Sequence, residues 1–87
     1  MTLKLSDQEK VFLDRLCGGE KVIVKSGMYY FVGEDLIQNP STPESLGEKD
    51  LVYLHYWQGT TDIASLYPTM EGMRANAFIR HGMEDKI

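Results

Sequence analysis

Between Lys21 and Gly33, two runs of β-branched and aromatic residues, Val22-Ile23-Val24 and Tyr29-Tyr30-Phe31-Val32, flank the dipeptide Ser26-Gly27. This spacing constrains the chain more than any other feature. A two-residue loop joins antiparallel strands when its residues take positive φ, which glycine does without steric cost, so the stretch predicts a β-hairpin. With Ser26 and Gly27 at the turn, Lys25 faces Met28, Val24 faces Tyr29, Ile23 faces Tyr30, Val22 faces Phe31 and Lys21 faces Val32. Alternation puts Val22, Val24, Tyr29 and Phe31 on one face, wholly apolar or aromatic and suited to a core. Lys21, Ile23, Lys25, Met28, Tyr30 and Val32 share the other, mixed face. A lone hairpin is marginal in water, so the remaining chain must add a strand or a helical cover.

That cover is readable on both sides. Ser6-Asp7-Gln8-Glu9 has the order of a capping box, which predicts a helix from Asp7 to Cys17 with Val11, Phe12, Leu13, Leu16 and Cys17 as its apolar stripe, ended by Gly18-Gly19. Residues 34–50 are rich in turn formers and read as a long acidic connection, with one helical turn at Thr42-Pro43-Glu44-Ser45-Leu46-Gly47. Leu51 to Trp57 is apolar or aromatic except at His55, which favours a strand. Thr60 to Tyr67 fits either a short helix capped by Thr60 or Thr61 or a further strand, and the capping threonines favour the helix. Met70, Met73, Ala77 and Phe78 recur at helical spacing and predict a last helix over 68–81, opened by Pro68 and closed by Gly82, with residues 83–87 as a frayed tail. The expected fold class is therefore α+β: one small domain over residues 1–87, with a three-stranded antiparallel sheet, 21–25, 28–32 and 51–57, packed by an N-terminal and a C-terminal helix.

Composition excludes several functions. With 43% hydrophobic and 25% charged residues, the chain of 87 residues has the make-up of an ordinary globular domain. No apolar run approaches the ~20 residues of a membrane span, and Met1 to Ser6 lacks the apolar segment of a signal peptide, so a cytoplasmic location without membrane contact is expected. The single cysteine, Cys17, cannot form an internal disulfide and reads as a small hydrophobe on the first helix. Residues 34–50 hold five acidic groups and one basic group, a balance equal to the chain's whole net charge of −4. Without a cluster of Lys and Arg, the sequence argues against nucleic acid held by its phosphates.

Chemistry-bearing spacing is equally sparse. His55 and His81 each lack a second His or Cys at metal-ligand spacing, and Gly18-Gly19 follows a helix rather than forming a phosphate loop after a strand. The expectation is a non-enzyme that uses no cofactor and no metal.

What remains is a surplus of aromatic residues. If Val22, Val24, Tyr29, Phe31, Val52, Leu54 and Tyr56 face the helices, then Met28, Tyr30, Tyr53, His55 and Trp57 gather on the opposite face. Large, stiff aromatic side chains in that number suit a protein interface. Glu34, Asp35, Glu44, Glu48 and Asp50 of the acidic connection are expected beside this face, matched to a basic surface on a larger protein or complex. The leading expectation is thus a protein-binding module, an adaptor, subunit or small inhibitor, by analogy with acidic inhibitors from phages and mobile elements. Homodimerisation through the same face is a further expectation, and single-stranded nucleic acid stacked on the aromatics is the alternative.

Overall fold

The first helix begins where its own side chains close the free amides of the first turn. In the computed structural model, which describes residues 4–34 and 37–84, the Glu9 N–H donates to Ser6 Oγ at 3.2 Å and the Ser6 N–H donates to Glu9 Oε1 at 3.0 Å. This reciprocal cap opens α1 (Asp7–Cys17) at the expected residue. Phe12, Leu13 and Leu16 are its buried apolar residues, whereas Val11 is 60% exposed on the flank.

β1 (Val22–Lys25) and β2 (Met28–Phe31) form the hairpin in the register that alternation requires, Val22 opposite Phe31 through Lys25 opposite Met28. Ser26 and Gly27 have φ of 51° and 79°. Both are positive, as in a type I′ turn, so the local sequence and the strand twist agree.

The sheet has five strands, not the three expected. β3 (Ile37–Gln38) pairs with β2, placing Gln38 opposite Tyr29 and Ile37 opposite Tyr30. The acidic connection therefore adds an edge strand, and its second half forms α2 (Ser41–Glu48), longer than the single turn expected. The Asn39 carboxamide oxygen accepts from the Ser41 N–H at 3.1 Å and its Oγ at 2.9 Å. Pro43 and Leu46 are buried beneath α2. β4 (Val52–Tyr56) follows within the predicted range.

Residues 60–67 do not form the short helix favoured by their threonines. β5 (Ile63–Pro68) runs through them, bonded to β1 on one side and β4 on the other. Two flanking partners outweigh a local capping signal, since strand preference is set largely by neighbours. Thr60 instead shapes the loop before β5, its Oγ1 accepting from the Asp62 N–H at 3.0 Å. The order across the fully antiparallel sheet is β3-β2-β1-β5-β4.

α3 (Met70–Arg80) starts one turn-forming residue after the sheet, because Pro68 ends β5 rather than opening the helix. Thr69 caps it, accepting from the Gly72 N–H at 2.9 Å while donating to the Asp50 carbonyl at 2.6 Å. The helix turns a different side inward than its Met and Phe spacing predicts. Gly72, Ala75 and Asn76 are buried, whereas Met70 is 81% exposed and Met73 and Ala77 also face outward. The reason is proximity: a Cβ built on Gly72 would lie 1.9 Å from the Leu51 carbonyl oxygen, so only small residues fit that side. His81 forms the C-cap of α3. Glu84, expected in a frayed tail, accepts from Lys10 Nζ at 2.7 Å and ties the end of the described chain to α1; residues 85–87 of that tail lie outside the described residues.

One apolar cluster unites these elements. Phe12, Leu13 and Leu16 meet Val22, Val24, Tyr29, Phe31, Ala64 and Leu66 of the sheet, with Leu46, Leu51, Val52 and Ala75 closing the sides. Burying a side chain such as Phe31 or Leu13 contributes about 1.5–3 kcal/mol. A polar lock joins α1 to α2: Glu9 Oε2 accepts from Lys49 Nζ at 2.7 Å and from Ser45 Oγ at 3.1 Å. Burial raises the Glu9 pKa, but Lys49, the Ser6 amide and Ser45 together hold it below its ordinary value. Cys17 packs half-buried against the core, where desolvation pushes its thiol pKa up and reduces its thiolate character.

Candidate functional site

Because side chains alternate along every strand, the register of five strands fixes a second lattice of residues on the side away from the core. Its middle row runs Ile37, Tyr30, Ile23, Ser65, His55 from β3 to β4. Beside it lie Met28, Lys25 and Ile63, followed by Trp57, whose N–H donates to the Ile63 carbonyl at 2.9 Å. On the other side, Val32 donates to the Lys21 carbonyl at 2.9 Å, and Tyr67 stands opposite Tyr53. The three helices lie against the opposite face.

The open lattice brings together all five aromatic-face residues named from the sequence, Met28, Tyr30, Tyr53, His55 and Trp57. Met28, Tyr53, Trp57 and Tyr67 are 43–49% exposed, half in contact and half available. Tyr30 is half-buried. Tyr53 and Tyr67 have ring centroids 5.7 Å apart, and His55 meets Tyr67 edge-on at 6.3 Å. The Trp57 indole N–H donates to Ser65 Oγ at 2.9 Å, fixing one end of the ring to β5. The polar group of the largest side chain is thus satisfied while much of its apolar surface stays accessible.

The acidic residues are elsewhere. Glu34 is held by Arg15, which also forks onto Glu20 at 2.8 and 2.9 Å and stacks its guanidinium 3.7 Å over the Phe31 ring. Glu44 and Glu48 belong to α2, on the helical side of the sheet. Asp50, with φ of 60°, turns the chain into β4, and its carbonyl serves the α3 cap. Asp35 lies outside the described residues. The sheet therefore stands between the aromatic residues and the two helical glutamates, and among the described residues the open lattice carries Lys21 and Lys25 but no carboxylate.

Two further corrections concern the core side. Leu54 and Tyr56 point to the helical face as alternation requires, yet they are 37% and 55% exposed, because the helices do not extend over the far end of β4. Sequence reasoning also left Tyr67, Ile37 and Ile63 out of the open lattice. For Tyr67 and Ile63 the signal was present in the alternation Ile63, Ser65, Tyr67 against Ala64, Leu66. A two-residue strand such as β3 offers no such period.

Among the described residues, no three His, Cys, Asp or Glu side chains converge as a metal-ligand set. What the open lattice offers chemically is ring stacking, apolar contact, two ammonium groups and a few hydrogen-bonding hydroxyls. No helix is long and apolar enough to cross a membrane among the described residues. Comparison of the chain with protein-family models, with curated proteins and with solved structures gave no match.

Proposed function

We propose that the chain is a non-catalytic protein-binding module, an adaptor, subunit or small inhibitor, whose docking surface is the open sheet face around Tyr53, Trp57 and Tyr67. The observation that carries this reading is that these aromatics, with Met28, Ile37 and Val32, remain 43–57% exposed on one continuous face. Exposed apolar surface of that extent is uncommon without a partner, and Tyr, Trp and Met are the side chains enriched in interface cores. Glu34, Glu44, Glu48 and Asp50 lie off this face, so a basic partner would reach them around the sheet edge rather than on the aromatic surface.

Affinity capture from the native host, followed by binding measurements on the purified pair, tests the reading. Tyr53→Ala and Trp57→Ala are expected to weaken the pair at least about tenfold, as truncation of an interface anchor does. Unchanged affinity in both variants would place the docking surface elsewhere.

Single-stranded nucleic acid is the second reading, favoured by one observation: among the described residues, Lys21 and Lys25 are the charged side chains of the open face. Bases would stack on the tyrosines while the ammonium groups meet phosphates. Fluorescence anisotropy with labelled single strands would then show binding that weakens steeply with salt.

A further inference from the structure

β4 is an edge strand, and its hydrogen bonds to β5 fix which of its backbone groups are unused. The Trp57 N–H reaches the Ile63 carbonyl at 2.9 Å and the Thr69 N–H reaches the Leu51 carbonyl at 3.0 Å. In an antiparallel ladder these contacts recur every second residue. Leu51, Tyr53, His55 and Trp57 therefore turn their peptide groups towards β5, and Val52, Leu54 and Tyr56 turn theirs outward, away from the sheet.

An outward row of donors and acceptors invites another strand, and proteins usually guard it with lysine, proline, a bulge or brevity. At the opposite edge, β3 spans two of the described residues. β4 has none of these devices. From Leu51 to Thr61 the chain carries no Asp, Glu, Lys or Arg, although its net charge is −4. For two like-charged copies of one chain, such a stretch is where approach costs least.

We propose that β4 pairs antiparallel with β4 of a second copy about a two-fold axis at Leu54, joining two five-stranded sheets into one of ten. The register is self-complementary. Leu54 of one protomer meets Leu54 of its partner, and Val52 meets Tyr56 in both directions, so the three residues with outward peptide groups satisfy one another through about six backbone hydrogen bonds. On the helical face, Tyr56 of one copy comes over Val52 of the other, beside a groove of about 370 Å³ bordered by Pro43, Glu44, Gly47, Glu48, Val52 and Leu54. The exposed rings and Leu54 acquire apolar neighbours. On the open face, Tyr53 falls opposite His55 of the partner, and the aromatic lattice continues unbroken across the axis. The pairing does not depend on what docks on that lattice. A contact five residues long is at the small end of specific interfaces, so the dimer is expected to dissociate at roughly micromolar concentration.

Sedimentation analysis from about 1 to 500 μM, a span chosen around that affinity, tests the oligomeric state. The native chain should pass from monomer to dimer, and high salt should strengthen the dimer rather than weaken it, because the strand contact itself is uncharged while salt screens the Glu44 and Glu48 carboxylates that each copy carries beside it. Leu54→Lys should remain monomeric throughout. The substitution is at a partly exposed site, and thermal unfolding of the dilute protein should stay where it was. Site-specific cross-linking fixes the geometry even if that variant folds poorly. In a Cys17→Ala background, Leu54→Cys should form an interchain disulfide under mild oxidation, since hydrogen-bonded partners across an antiparallel pair have Cα atoms about 5.5 Å apart. Tyr30→Cys, on the open face away from the axis, should not. A native chain monomeric to about 500 μM, or cross-linking through Tyr30→Cys and not Leu54→Cys, overturns the proposal. The second result would assign the dimer to the open face.

Discussion

The two faces of the sheet are made from much the same side chains and end in opposite conditions. Val22 and Phe31 are 1% exposed under the helices, whereas Val32, one residue out of phase with Phe31, and Tyr53, two strands from Val22, are 57% and 49% exposed. Hydrophobicity therefore does not decide which face becomes core. Two things do: where the capped helix α1 can lay Phe12, Leu13 and Leu16, and where Lys21 and Lys25 forbid a dry contact. One face holds the fold together, and the other is left with binding capacity.

The contrast is sharpest under truncation. Phe31→Ala removes a ring packed 5.2 Å from that of Phe12 and stacked under Arg15. A loss of about 3–5 kcal/mol is expected, read as a collapse of the denaturant midpoint. Next in size is Gly72→Ala. Helix propensity alone would make it stabilising by ~1 kcal/mol, but its methyl group would meet a backbone carbonyl that cannot rotate away, so a net loss of about 2–3 kcal/mol is expected. An unchanged or raised melting temperature would show that α3 stands further from β4.

Glu9→Gln keeps the shape of the cap but removes the charge facing Lys49, and about 1–2 kcal/mol should be lost at neutral pH. The sign with pH follows from its depressed folded pKa: the contribution is complete above the unfolded value and vanishes as pH falls through the folded one. Melting curves of the native and Glu9→Gln proteins should therefore converge on acidification. A gap that widened instead would mean that the pair opposes folding. Smallest of all, Tyr53→Ala on the open face should shift stability by only about ±0.5 kcal/mol. Unfolding of this variant would erase the distinction between the faces.

Legibility in the sequence followed the range of the forces involved. The capping box of α1 and the Ser26-Gly27 turn are closed by residues within a few positions of each other, and both register and helix start could be read directly. The phase of Val52 to Trp57 was readable for the same reason, so the open-face residues were correctly grouped. β5 was not legible because its pairing comes from β1 and β4, while Thr60 and Thr61 imitate a helix cap. The buried side of α3 escaped because close approach to Leu51 selects Gly72 and Ala75, and a search for large apolar residues points to Met70 and Met73 instead. The separation of Glu44 and Glu48 from the aromatic face depends on the path of α2, which charge alone does not encode.

The position of β5 has a consequence for the time course of folding. Val22 pairs with Leu66, 44 residues further along the chain, whereas the β1–β2 and β4–β5 pairs are closed by short loops. Hairpins form in about 1–10 μs, but a sheet completed by non-local pairing must wait for the loop entropy between its halves to be overcome. The β1–β5 seam is then the last part of the sheet to zip. Until it does, each hairpin shows a bare edge, one on β1 and one on β5, and the interval of greatest exposure to misassembly is the search of one hairpin for the other.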